Sequence, residues 1–136
     1  VVVVDTNVVV AGLITRDPAA PTARILVAML DGSLRFAVSL PLLAEYQRIL
    51  LRPAIAALHR LGPGEVEDLV AEIAASAVVV DPLVAGTTAP DPGDQHLLDL
   101  LATRPDLPLI TGDQLLLERL PNDRVTTPAH HQQSPR

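Results

Sequence analysis

The sequence holds no cysteine, no lysine and no tryptophan, and only one Tyr and one Phe among its 136 residues. Without cysteine there is no disulfide scaffold, zinc knuckle, thiol nucleophile or iron–sulfur site. Without lysine there is no Schiff base, no phosphate-loop lysine, and none of the lysine chemistry that a receiver-type signalling domain needs. Two aromatics cannot build a platform for stacking bases, so the core has to be assembled from Val, Leu, Ile and Ala. None of the four serines (Ser33, Ser39, Ser76, Ser134) stands in a Gly-x-Ser-x-Gly turn, and there is no Gly-rich phosphate loop. The four histidines (His59, His96, His130, His131) show neither His-x-x-His nor His-Glu-x-x-His spacing. An acyl-transfer triad and a zinc site are therefore unsupported. Apolar runs fall short of the roughly 20 residues that cross a bilayer, and no basic segment leads into a long apolar stretch at the start. The expected compartment is the cytoplasm, with no membrane partner.

What is present is a chain with 49% apolar and 19% charged residues and a mean hydropathy of +0.34. That composition folds rather than staying disordered. No internal repeat or linker interrupts it, so one domain over residues 1–130 is expected, with a polar tail at 131–136. The net charge of −6 is uneven: residues 1–60 hold six Arg against four acids, residues 61–136 four Arg against twelve. An acidic total argues against bulk electrostatic binding of nucleic acid. It leaves room for a local Arg-lined track in the first half, and for acids gathered around a divalent cation.

Val1–Val4 is β-branched without alternation, as in a strand buried on both faces, and ends in Asp5-Thr6-Asn7. Residues 15–21 read as a loop. A helix runs over 22–31, where Ile25, Leu26, Met29 and Leu30 share a face, and Gly32 stops it. A short strand follows at 35–38. Ser39 caps the next helix, with Pro41 in its first turn, and Arg52-Pro53 interrupts it before a short helical piece. After Gly62-Pro63-Gly64 an amphipathic helix carries Val66, Leu69, Val70 and Ile73. Strands at 77–80 and 107–110 flank a helix opened by Asp91-Pro92. A short helix spans 115–120, Val125 marks a last strand, and the chain from Thr127 onward reads as a polar tail with a frayed end. This alternation predicts an α/β fold with a central, mostly parallel sheet and helices on both faces, three layers in all.

In such a sheet, ligands bind beyond the carboxyl ends of the strands. Asp5 and Asp113 directly follow strands. Asp91 and Asp94 start a helix at the same edge, and Glu45 lies about a turn into the helix after the second strand. Each alone has an ordinary explanation: a solvated acid, a helix cap, a dipole partner or a turn residue. Together they put carboxylates from four segments at one edge with no lysine to pair them. Crowding of this kind raises at least one carboxyl pKa. A hard divalent cation such as Mg²⁺ or Mn²⁺ resolves the repulsion and serves phosphodiester hydrolysis. His96 is expected on the surface of its helix, and His130-His131 in solvent.

At this point the residues resemble the PIN-domain family, and within it the VapC-like toxin ribonucleases of bacterial toxin–antitoxin pairs. VVVVDTNVVVAGLI, VSLPLLAEYQRILLRP, DPGDQHLLDLL and LITGDQLLL are similar to the family's four acidic segments, in order, over residues 1 to about 130. The chain departs at Ser39-Leu40-Pro41, where the subgroup often has Ser-Pro directly. The resemblance implies a metal-dependent endoribonuclease. Its acidic quartet would be Asp5, Glu45, Asp94 and Asp113, holding one or two Mg²⁺ or Mn²⁺ ions. Asp91 would be a further acid, with Asp94 favoured over it as ligand. Thr6, Asn7 and Thr111 would orient the carboxylates, and Arg16, Arg24, Arg48 and Arg52 are the candidates for holding the RNA backbone. Proteins of this kind pair with an antitoxin that covers the site, and often form homodimers. The alternatives are a catalytically silent partner-binding module and a nuclease for structured DNA.

Overall fold

A computed structural model of the chain describes residues 1–83, 88–89 and 91–133. In chain order its elements are β1 (Val2–Val4), α1 (Thr6–Ile14), α2 (Pro21–Asp31), β2 (Phe36–Val38), α3 (Leu40–Leu50), α4 (Pro53–His59), α5 (Pro63–Ser76) and β3 (Val78–Val79). A 3₁₀ turn (Pro92–Asp94) then leads into α6 (Gln95–Thr103), β4 (Leu109–Ile110), α7 (Gln114–Arg119), β5 (Val125–Thr126) and α8 (Pro128–Gln133). The five strands form one sheet in the order β3-β2-β1-β4-β5, and every pairing is parallel. Helices flank the sheet to give the expected three-layer α/β/α architecture.

The β-branched run at the start becomes the central strand. Val3 pairs with Ala37 on one side and Leu109 on the other, and all of β1 is buried. The two aromatics go to the core: Phe36 and Tyr46 are fully buried among Ile25, Met29, Leu42, Leu50, Ile73, Leu97 and Leu109. Proline opens α2, α4, α5 and the 3₁₀ turn, where its missing N–H costs nothing, and falls in the first turn of α3. Gly32 ends α2 in the left-handed conformation (φ 83°) that glycine tolerates best. The Arg124 guanidinium reaches the end of α6, where Nη2 donates to the carbonyls of Leu101 at 2.8 Å, Leu107 at 3.1 Å and Arg104 at 3.3 Å.

Two segments differ from the sequence reading. Residues 6–14, to which the sequence reading assigns no element, form α1. Their Val8-Val9-Val10 run disfavours a helix locally. Burial of Val8 and Val9 against the core outweighs that preference, and Asp5 caps the helix, its Oδ1 accepting from Thr6 N at 2.8 Å. The stretch after Thr127, read as a tail, forms α8 and packs on α2. Residues 131–133 of the expected polar tail belong to that helix; 134–136, like 84–87 and 90 between the expected strand at 77–80 and the helix opened by Asp91-Pro92, lie outside the described residues.

Candidate functional site

From β1 the chain winds outward to β2 and β3, then returns to place β4 on the other side of β1. The carboxyl ends of β1 and β4 therefore flank the topological switch point, where open parallel sheets bind ligands. The first residue beyond β1 is Asp5, and Thr111, Gly112 and Asp113 follow β4. Ser39 caps α3 through Leu42 N at 3.2 Å, with Leu40 as the first helical residue. The Ser-Leu-Pro departure thus leaves Glu45 on the cleft. Asp91 and Asp94 bracket the 3₁₀ turn before α6. All five acids line one cleft of about 810 Å³.

A hydrogen-bond network ties the two strand ends together. Asp5 Oδ2 accepts from Thr111 Oγ1 at 2.7 Å and from Asn7 Nδ2 at 3.2 Å. Asn7 Oδ1 accepts from Gly112 N at 2.9 Å, and Asp113 N donates to Thr111 Oγ1 at 3.0 Å. The Thr6 hydroxyl donates to Glu45 Oε1. On its other oxygen Glu45 meets His96 Nε2 at 2.8 Å and, more distantly, Arg48 at 3.7 Å. Asp113 Oδ1 caps α7, accepting from Leu115 N at 2.9 Å, and Asp91 Oδ1 accepts from Gly93 N at 2.9 Å. Asp94 makes no side-chain capping bond. Thr6, Asn7 and Thr111 therefore each touch an acid of the cleft directly.

The electrostatics follow from this crowding. Burial first, then the charges of Asp5, Asp113, Asp91 and Glu45, push Asp94 up from 3.8 to about 6. Burial also raises Asp5, against the hydrogen bonds from Thr111 and Thr6 that stabilise its charge; Glu45 and Asp113 add to the rise. Yet among the described residues no three acids or imidazoles stand close enough to hold one metal ion as they lie. Four of the five acids are drawn to local donors: two cap helices, one caps the 3₁₀ turn, and Glu45 is held by Thr6 and His96.

Beneath the acids lies Tyr46, whose hydroxyl donates to the Val4 carbonyl at the end of β1. Burial, and then the charges of Asp5 and Glu45, raise its pKa well above 10.0. A raised phenol pKa means the folded state holds the proton more tightly than the unfolded chain, so stability falls as pH rises above 10. As the only tyrosine, with no tryptophan to overlap it, Tyr46 can be titrated by ultraviolet absorbance. Tyrosinate is expected to appear only together with loss of the far-ultraviolet circular dichroism signal. A reversible titration near 10 in folded protein would contradict this placement.

Of the four candidate arginines, the fold brings two to the cleft, Arg48 and Arg52, beside an aliphatic wall of Val10, Ile14, Ile49 and Ile55. Arg16 lines an adjoining groove with His59 and Arg60, and exposed Arg24 lies on a separate face near Asp31 and Gln132. His96 corrects the sequence reading: it is not on the helix surface but 17% exposed and in contact with Glu45. No local signal could have shown this, because the partner lies 51 positions away.

Comparison with known proteins agrees with this architecture. A profile of the PIN-domain family matches residues 1–115, from β1 through the Thr111-Gly112-Asp113 corner and the start of α7. No curated protein and no solved structure matches the chain. The profile takes in all five carboxylates of the cleft and both strand ends that flank it, and on that match the chain belongs to the PIN-domain family.

Proposed function

We propose that the protein is a metal-dependent endoribonuclease, the toxin of a toxin–antitoxin pair. The observation that carries this reading is the cleft at the switch point, lined by five carboxylates from four segments, with Asp94 displaced to about 6 by burial and then by its acidic neighbours. Carboxylate oxygens suit a hard cation, and the cleft lacks a lysine to neutralise them. Asp5, Asp94 and Asp113 would hold one or two Mg²⁺ or Mn²⁺ ions, with Glu45 a ligand directly or through water and Asp91 in reserve. No three of the acids stand close enough to hold one ion as they lie, so these residues would reach a cation in part through the waters that Mg²⁺ keeps. Once bound, such a cation supplies an activated water and positive charge opposite the phosphate.

The chain's own residues do the rest. Thr6, Asn7 and Thr111 keep Asp5 and Glu45 aimed at the cleft through the bonds described above. Arg48 and Arg52 meet the phosphate backbone, and the aliphatic wall takes base faces without stacking. An antitoxin covering the cleft, a homodimer and a cytoplasmic location accompany the toxin reading. No helix among the described residues is long and apolar enough to cross a membrane.

The deciding assay incubates the purified chain with single-stranded RNA, single-stranded DNA and structured DNA, with Mg²⁺ or Mn²⁺ and then with EDTA. Cation-dependent cleavage of RNA that EDTA stops is expected. Cleavage of structured DNA alone would move the reading to a DNA nuclease, and no cleavage of any polymer would leave a partner-binding module. Arg52→Ala should raise KM for RNA several-fold and leave kcat nearly unchanged. It should also reduce the slope of log affinity against log salt by about 0.7, the loss of one phosphate contact to a single strand. An unchanged salt slope would remove Arg52 from the RNA track.

A further inference from the structure

We propose that His96 is a positioning residue for the acidic cleft: its Nε2–H holds the Glu45 carboxylate in one orientation, on the space that Asp94 also lines. The inference rests on the reading that the cleft takes a divalent cation. His96 is the second residue of α6, and Asp94 immediately precedes that helix. One turn of chain therefore turns Asp94 to the cleft and His96 to Glu45, 2.8 Å from Oε2. The imidazole is a polar link between α3 and α6 at the point where two acids of like charge face the same space.

The other end of the ring makes the case. His96 Nδ1 is buried and has no hydrogen-bond partner among the described residues. A buried polar atom left unpaired costs stability, so an apolar side chain would sit there at less cost. The ring's advantage lies at Nε2. Without it Glu45 Oε2 would keep, among the described residues, only Arg48, which stands 3.7 Å away with a side chain 61% exposed, too long for a hydrogen bond and screened by solvent. Thr6 already holds Oε1, so His96 completes a two-point grip that leaves Glu45 one orientation. A carboxylate oxygen only accepts, so the hydrogen of this contact sits on Nε2.

The test uses Mn²⁺ alone as the probe, with the free ion counted by electron paramagnetic resonance for the wild type, His96→Leu and His96→Gln. Glutamine keeps an N–H donor at a comparable reach; leucine keeps bulk without a donor. His96→Leu is expected to weaken Mn²⁺ binding about 10- to 100-fold, the usual scale for a group that orients a metal ligand. His96→Gln is expected to restore most of the affinity. In the wild type, long-range ¹⁵N–¹H spectra are expected to show the Nε2–H tautomer. Leucine binding Mn²⁺ as tightly as histidine, glutamine failing as badly as leucine, or an Nδ1–H tautomer would each overturn the proposal. A wild type that binds no Mn²⁺ at all overturns the cation reading itself, an outcome distinct from the other three. The tautomer measurement needs no variant, so it decides even if a substitution fails to fold.

Discussion

Asp94→Asn is expected to lower cation-dependent RNA cleavage at least 100-fold, on the order of losing a metal-orienting group or more, while making the cation-free protein more stable. The two effects have opposite signs for one reason. In the folded chain the Asp94 carboxyl titrates near 6 rather than 3.8 because burial and four neighbouring acids penalise its charge. Its folded-state pKa is raised, so the stability that the protonated form contributes is complete below 3.8 and is lost as pH rises toward 6 and beyond. Asparagine removes the charge and hence the loss. Thermal unfolding of wild type and variant in EDTA should therefore coincide near pH 4 and diverge at pH 7, with the variant melting higher. Adding Mn²⁺ should reverse the order at pH 7, since only the wild type gains from binding. A variant less stable than wild type at pH 7 in EDTA would mean that Asp94 is structurally paired rather than held against its neighbours.

Gly12→Ala is expected to make the worst steric clash of the glycine-to-alanine changes among the described residues, and to destabilise the fold. Gly12 lies inside α1 where α2 crosses it. An added Cβ would lie 2.5 Å from the Thr22 carbonyl oxygen and 3.1 Å from Leu26 Cβ. Helix propensity alone favours alanine by about 1 kcal/mol. The clash is with main chain rather than with a mobile side-chain tip, so the helices must separate, and overpacking of this sort costs about 1–3 kcal/mol. The clash wins. Urea denaturation should show a lower midpoint at unchanged m-value. Because α1 also carries Asn7, Val10 and Ile14 of the cleft, RNA binding should weaken with it. A variant as stable as wild type would show that α1 and α2 do not approach this closely.

The parts of the fold that were legible in the sequence are those written locally. Val1–Val4 announced a strand buried on both faces, and β1 is the centre of the sheet. Asp5 and Asp113 stood directly after strands, so the parallel topology carried them to one edge without further information. Asp91-Pro92 and Ser39 marked the helix starts that bring Asp94 and Glu45 there. What was not legible depends on distant partners. The helix over 6–14 is decided by tertiary burial of Val8 and Val9 against local preference. The fold's sorting of Arg48 and Arg52 from Arg16 and Arg24 follows from where α1, α3 and α4 meet, which no spacing encodes. The spread of the carboxylates, wider than one ion's direct reach, depends on how the four segments pack, and His96 was hidden because Glu45 belongs to another helix.

Asp5, Asp91 and Asp113 also start helical segments, each with a carboxylate oxygen on a main-chain N–H. Asparagine does this nearly as well as aspartate, and alanine does not. An alanine scan of the cleft will thus report unfolding and lost chemistry as a single number, and only the asparagine series separates them. The same economy bears on descent: a copy of this chain could exchange its aspartates for asparagines, keep every helix start, and persist as a well-folded protein with nothing left to cut.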